Sequence, residues 1–240
     1  MNSVPPLHPK PPGIALRALG LVVPGIRRVS AQIGPYTKWW SEQNQTALTA
    51  TGPLLAVVGD STAIGVGAST PELGYVGLVR DALGQRDGDR WRVINLAQSG
   101  ARAADGLERQ LPIVNRMADG AAGPTLTICM IGTNDVVWSS DTTVLWERLK
   151  ALIGGLPAAS LVGVVAGDSP RARVVNRAIR NAATENGLTA IDPWREPGPP
   201  PPQRLAEDRF HPSDLGYVLM ARPFARHLEA PEPSTGSAAG

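Results

Sequence analysis

Two stretches far apart in this 240-residue chain carry side chains that could do covalent chemistry together: Gly59-Asp60-Ser61 and Asp208-Arg209-Phe210-His211. A serine hydroxyl attacks poorly until a neighbouring base accepts its proton. A histidine acting as that base needs a fixed tautomer and a carboxylate that favours its charged form. Asp208 and His211 stand three apart in a loop and can meet locally, whereas Ser61 has to come from the far end of the domain. The residues after Ser61 are small almost without a break (Thr62, Ala63, Gly65, Gly67, Ala68). A serine leaving the C-terminal end of a parallel strand lies where open α/β sheets bind ligands. A helix N-terminus beside it would offer free N–H groups to a developing anion. Such a serine can equally be a plain N-cap, and on this stretch alone both readings stand.

The elements that must position these residues show in the periodicity. The apolar, β-branched run at 54–58 reads as a buried strand ending at Gly59, a residue that allows a tight exit. From there strands and helices alternate. Strands are predicted at 54–58, 92–96, 125–131, 161–166 and 188–191, and helices at 71–84, 101–118, 141–153, 171–186 and 214–228. Alternation of this kind implies a parallel five-stranded sheet with right-handed crossovers and helices on both faces, a three-layer α/β/α sandwich wound like flavodoxin. The run at 125–131 lacks clean alternation, as a central strand buried on both faces should. Residues 195–208, with prolines at 197 and 199–202, read as a loop.

Three further stretches fall where that fold gathers strand ends: Asn95-Leu96-Ala97-Gln98-Ser99-Gly100, Gly132-Thr133-Asn134-Asp135, and Asp208 to His211 before the last helix. With Gly59-Asp60-Ser61, these blocks make the chain resemble the SGNH (GDSL-type) hydrolases. The four blocks occur in order across residues 59–212, while residues before 50 lie outside the resemblance.

The resemblance implies an esterase or lipase in which Ser61 is the nucleophile, His211 its general base and Asp208 the group orienting the imidazole. It also implies an oxyanion hole of the Ser61 and Gly100 backbone N–H groups and the Asn134 side-chain amide. Gly100 would suit that role because a missing side chain lets the backbone approach substrate. The reaction is then hydrolysis of a small-molecule acyl ester through an acyl-enzyme, with no cofactor and no metal. Short- to medium-chain esters are expected, since no insertion is large enough to build a deep acyl tunnel. The same residues would serve a deacetylase of acetylated carbohydrate or a thioesterase, and a non-catalytic ligand-binding protein could keep the fold.

Several of these residue types also admit other readings. Gly167-Asp168-Ser169 repeats the serine motif, but Pro170 and a helical run follow it, the pattern of an N-cap with proline at the first helical position. Gly59-x-Ser61-x-Ala63 approaches the α/β-hydrolase elbow. In that fold, however, the serine follows several strands, and acid and histidine come from separate loops. Asp60 and Asp135 read as hydrogen-bonding loop residues, Cys129 as a small buried hydrophobe, and His227 as a surface residue at a helix C-terminus. Asn134-Asp135 admits an N-cap reading, and Trp138 either walls a substrate site or fills core.

Composition bounds the rest. One cysteine excludes an internal disulfide, and three scattered histidines (His8, His211, His227) argue against a zinc site. A net charge of +2 gives no case for nucleic acid as a partner. The basic excess sits in residues 1–50, where Lys10, Arg17, Arg27, Arg28 and Lys38 face only Glu42. The chain divides into this basic, partly helical arm (1–50), a hydrolase-like domain (51–230) and a disordered tail (231–240). Residues 1–13 are proline-rich and also read as disordered. Residues 14–23 are too short an apolar run to span a bilayer, and no cleavage signal follows, so a cytoplasmic protein is expected. In the arm, Ile26, Val29, Ile33, Tyr36 and Trp40 draw an apolar stripe on a helix that Gly34-Pro35 should kink or break. One reading packs this arm on the domain, and the other lays it on a membrane surface as a peripheral contact.

Overall fold

Every residue of the first strand, β1 (Leu54–Gly59), is buried. Its side chains alternate between two cores: Ala56 and Val58 join one apolar cluster, Leu55 and Val57 the other. A strand that must satisfy both faces cannot carry a polar stripe, which is why its sequence is uniformly apolar. These features come from a computed structural model, in which residues 23–120, 123–138 and 141–229 are described. The expectations for residues 1–13 and 231–240, and for most of the apolar run at 14–23, lie outside the described residues.

The chain begins with helices α1 (Pro24–Ala31) and α2 (Ile33–Thr49), then enters β1. A helical turn α3 (Ser61–Ile64) follows, then α4 (Tyr75–Asp87), β2 (Arg92–Asn95), α5 (Ala103–Asp105), a π-type segment (Gly106–Gln110) and α6 (Leu111–Ala118). The remainder runs β3 (Leu126–Met130), α7 (Thr133–Trp138), α8 (Thr142–Gly154), β4 (Ser160–Gly163), α9 (Pro170–Glu185), β5 (Thr189–Ile191), α10 (Pro201–Arg204) and α11 (Asp214–Glu229). The five strands are all parallel in the order β2-β1-β3-β4-β5. This is the flavodoxin-like winding, in which strand order reverses beside β1 and opens a crevice at the strands' C-terminal ends.

Several boundaries differ from expectation for identifiable reasons. The helix expected over 101–118 is interrupted by the π segment, where the Leu111 N–H donates to Gly106 O, five residues back. Pro112 has no N–H for the Glu108 carbonyl and its ring crowds that turn, so the ladder widens ahead of it. The helix expected from 71 starts as a 3-10 turn (Pro71–Leu73), and α4 begins only after Gly74. A Cβ on Gly74 would lie 2.7 Å from Gly65 Cα, so the chain passes too close to the serine turn to continue one helix. The break in the arm falls at Gln32, ahead of Gly34-Pro35. Pro35 thereby occupies the first turn of α2, where its missing N–H would have had no partner. Helices α7 and α10 form where the periodicity predicts no helix.

All five residues of the arm's apolar stripe are buried. Val29, Ile33, Tyr36 and Trp40 belong to the same core cluster as Leu55 and Val57. The surface that a membrane-lying helix would insert therefore faces the sheet domain in residues 24–49. No helix among the described residues is long and apolar enough to cross a membrane.

Candidate active site

Ser61 leaves the C-terminal end of β1 as the first residue of α3. The turn is tight because Gly59 lets α3 approach: a Cβ there would meet Ala63 Cβ at 2.6 Å. Gly59 is thus needed for close packing, in addition to the exit expected of it. Its own amide and carbonyl are both taken by the buried side chain of Gln110, which accepts from Gly59 N at 2.8 Å and donates to Gly59 O at 3.0 Å. Gln110, carried by the π segment, went unrecognised in the sequence.

The cap of α3 is Asp60 and not Ser61. The Asp60 carboxylate accepts from Thr62 N at 2.9 Å and from Thr62 Oγ1 at 2.8 Å. The Ser61 hydroxyl is therefore free of capping and lies 2.9 Å from His211 Nε2. On the other side of the ring, His211 Nδ1 lies 2.6 Å from Asp208 Oδ2. An ionised Asp208 needs the proton on Nδ1, so the Nε2 lone pair faces the serine hydroxyl.

The loop that brings this pair is built locally. Asp208 Oδ1 accepts the Phe210 and His211 amides, each at 3.0 Å, closing an Asx-type turn. Arg209 at its tip has φ 58°, a left-handed conformation, and Ala206 N closes the loop on His211 O at 2.8 Å. Burial alone would raise the Asp208 pKa, but the His211 bond and charge and these amides outweigh it and hold the carboxyl below its ordinary value.

Gly100 sits in the exposed turn after β2 with φ 70°. No atom lies within 4 Å of a Cβ built on it, so its backbone conformation demands glycine more than crowding does. The Ser61 and Gly100 N–H groups meet no acceptor among the described residues. Asn134, buried at the start of α7, donates its amide to Ala101 O at 3.0 Å and more loosely to Asp60 Oδ2 at 3.4 Å. Asp135 accepts the Ala103 amide at 2.9 Å and so ties the Gly100 turn to α7. Burial raises the pKa of both Asp60 and Asp135, and both act as hydrogen-bonding residues, as expected of them.

The remaining candidates separate cleanly. Ser169 is exposed and caps α9, accepting from Ala172 N at 3.1 Å ahead of Pro170. Cys129 is buried, which pushes its thiol pKa up to about 12. His227 is exposed in the last turn of α11. Trp138 is 56% exposed and fills no core.

The arm also reaches this site. Trp40 Nε1 donates to Ile64 O at 3.0 Å, and Tyr36 Oη to Ala68 O at 2.8 Å. Gln32 spans the same turn, accepting from Gly67 N at 2.8 Å and donating to Ala68 O at 3.0 Å. Asn44 bonds both the N–H and the carbonyl of Asn95 at 2.8 Å each, and Asn95 in turn holds Ala63 O at 2.7 Å.

Comparison with known proteins agrees with this architecture. The psychrotrophic esterase EstA of Pseudoalteromonas sp., in a structure inhibited by monoethylphosphonate, is 16% identical, with a TM-score of 0.60 over 74% of this chain and 97% of its own. A lipase/acylhydrolase from Enterococcus faecalis is 20% identical (TM-score 0.58, covering 76% of this chain and 100% of its own). The carbohydrate acetylesterase Est24 of Sinorhizobium meliloti is 15% identical (TM-score 0.55, covering 74% and 98%). At these identities the likeness is one of fold. No curated protein sequence matches the chain. The sequence model of the GDSL-like lipase/acylhydrolase family, however, matches residues 57–219, a span that takes in both the β1 serine and the Asp208–His211 loop. By that match the chain is a member of the GDSL-like lipase/acylhydrolase family, the hydrolases of ester bonds that its four motif blocks resemble.

Proposed function

We propose that this chain hydrolyses short- to medium-chain acyl esters through a covalent acyl-enzyme on Ser61. The observation that supports it most is the pair of hydrogen bonds running from Ser61 Oγ through His211 to Asp208, at 2.9 and 2.6 Å. In this reading His211 Nε2 takes the hydroxyl proton as Ser61 Oγ attacks the ester carbonyl. The Asp208 carboxylate holds the ring and stabilises the imidazolium that forms. The tetrahedral oxyanion is met by the Ser61 and Gly100 N–H groups and by Asn134, whose longer bond to Asp60 yields to the incoming oxygen. His211 then passes its proton to the departing alkoxide. A water, activated by the same Nε2, splits the acyl-enzyme and restores the serine.

Substrate length is read from exposed apolar side chains on the elements that carry Asn134 and His211. Val137 and Trp138 on α7 and Phe210 beside His211 are exposed apolar side chains, suited to an open groove. The test is acylation itself. A burst of product on mixing with p-nitrophenyl butyrate, together with stoichiometric labelling of Ser61 by a phosphonate ester, is expected. Phosphonate attached elsewhere, or no burst and no turnover, would overturn the assignment.

A further inference from the structure

A cleft of about 850 Å³ opens beside the His211 loop, between the C-terminal ends of β4 and β5 and the helices α9 and α11. Its apolar wall includes Trp194, Phe210, Leu219 and Met220, and Phe210 and Pro212 place it one residue to either side of His211. Five arginines also line it: Arg173, Arg177, Arg180, Arg195 and Arg204. Three come from one helix at spacings of four and three and so project from one face.

The acids in the cleft do not balance these charges. Only Asp168 and Asp192 line it. Asp192 bonds Arg180 at 2.7 Å and stands 3.5 Å from Arg195, so two guanidinium groups share one carboxylate. Asp168 lies 3.4 Å from Arg173 with its side chain 80% exposed, a pairing that water screens. Arg204 bonds the Glu196 and Pro199 carbonyls, which carry no charge. The Arg177 side chain makes no hydrogen bond or ion pair among the described residues. The frame is nevertheless rigid. Asn176 bonds both the amide and the carbonyl of Val165, at 2.8 and 3.1 Å, locking α9 to the end of β4. Trp194 Nε1 is fixed on Val164 O at 2.8 Å.

We propose that this cleft receives an anionic group, phosphate or carboxylate, at the end of an ester remote from its reacting carbonyl, so that anionic amphiphilic esters are preferred substrates. The proposal rests on the reading of Ser61 as nucleophile. β4 and β5 lie two and three ladder spacings from β1, or roughly 10–15 Å at about 4.8 Å per strand. An apolar chain of that order would lie along the wall, with its anion against Arg177 and Arg173. Guanidinium groups suit both phosphate and carboxylate because their paired N–H groups match two oxygens.

The test compares p-nitrophenyl decanoate with the mono-p-nitrophenyl ester of decanedioic acid, which differ only in the terminal carboxylate. The wild-type protein should favour the charged ester by about tenfold in kcat/KM, a preference that falls with added salt. Arg177→Glu with Arg173→Glu, both exposed and so compatible with folding, should erase the preference and leave the decanoate rate unchanged. Equal cleavage of both esters by the wild type, or an equal fall for both in the variant, would overturn the anion site. If neither ester is cleaved, the Ser61 reading has failed, and the cleft is judged by titrating octyl phosphate calorimetrically. Binding weakened about tenfold by the double variant would then uphold the anion site, and no binding would overturn it.

Discussion

Gly67 lies against His211 so closely that a Cβ on the glycine would stand 2.8 Å from the histidine Cβ, with the Pro212 carbonyl oxygen closer still. Gly67 also has φ 100°, a conformation side chains rarely adopt. The serine turn and the histidine loop, separated by most of the domain in sequence, therefore fit together only through a residue without a side chain. Gly67→Ala should cost more than about 1 kcal/mol of stability and lower kcat/KM by pushing His211 from Ser61. Gly88→Ala is the control: its φ is 70° but nothing lies within 4 Å of its Cβ, so it should cost stability and spare activity. Equal activity in both variants would show that the contact does not position the histidine.

The two motif serines should behave in opposite ways. Ser61→Ala is expected to lower turnover by several powers of ten, leaving what the oxyanion donors and binding supply. Ser169→Ala should cost about 1 kcal/mol in denaturant unfolding and leave turnover near wild type. A large loss of activity on removing Ser169 would contradict its role as a cap.

Acid stability separates the carboxylates. Asp208 has a lowered pKa when folded, so as pH falls the unfolded chain binds its proton first, near 3.9. Its stabilising contribution is full above that value and is lost as pH falls through the folded one. Asp60 has a raised pKa, chiefly through burial, so the folded chain holds the proton longer and stability declines as pH rises through that window. Asp208→Asn should flatten the acid limb of stability against pH, and Asp60→Asn should remove the decline above it. Urea unfolding from strongly acid to neutral pH checks both. Parallel curves for all three proteins would exclude these residues as the source.

Helix α2 should matter to catalysis as well as to folding. Trp40→Ala removes a large buried ring, at a cost of about 3–5 kcal/mol. Trp40→Phe keeps most of the packing but leaves the Ile64 carbonyl without its donor, at a cost of about 1–3 kcal/mol. Both should lower kcat against a soluble ester at temperatures where the protein stays folded, because the Ser61 turn loosens. Unchanged kcat in both would make the arm purely a stability element.

Chain-length dependence reports the groove. Across p-nitrophenyl esters of increasing acyl length, kcat/KM should rise over the first carbons and then level off, since each buried methylene contributes at most about 0.8 kcal/mol. Trp138→Ala should shorten the rising part. Values still climbing at the longest chains would mean an enclosed tunnel and sink the open-groove reading.

Periodicity and residue type were enough to establish the alternation of strands and helices, the parallel sheet, and the strand ends at which the first three motif blocks stand; the fourth, Asp208 to His211, lies in the loop ahead of α11. These depend on short-range facts: β1 and β3 lack a polar stripe because both their faces are covered, and Asp208 and His211 meet across a four-residue turn. The distribution of labour within the site was decided by tertiary structure. Whether Ser61 caps a helix or faces a base turned on Asp60 taking the cap and on His211 arriving from 150 residues away. Gln110 gripping Gly59 needed a π segment set by Pro112, and α2 gripping residues 64–68 needed the arm to share the core. Three of the five arginines of the β4–β5 cleft share one face of α9, but Arg195 and Arg204 join them only when the sheet aligns the segments that carry them. Local sequence specifies which conformations each segment favours. Contacts between distant segments depend on how the sheet stacks them, and a pattern spanning a few residues carries no record of that.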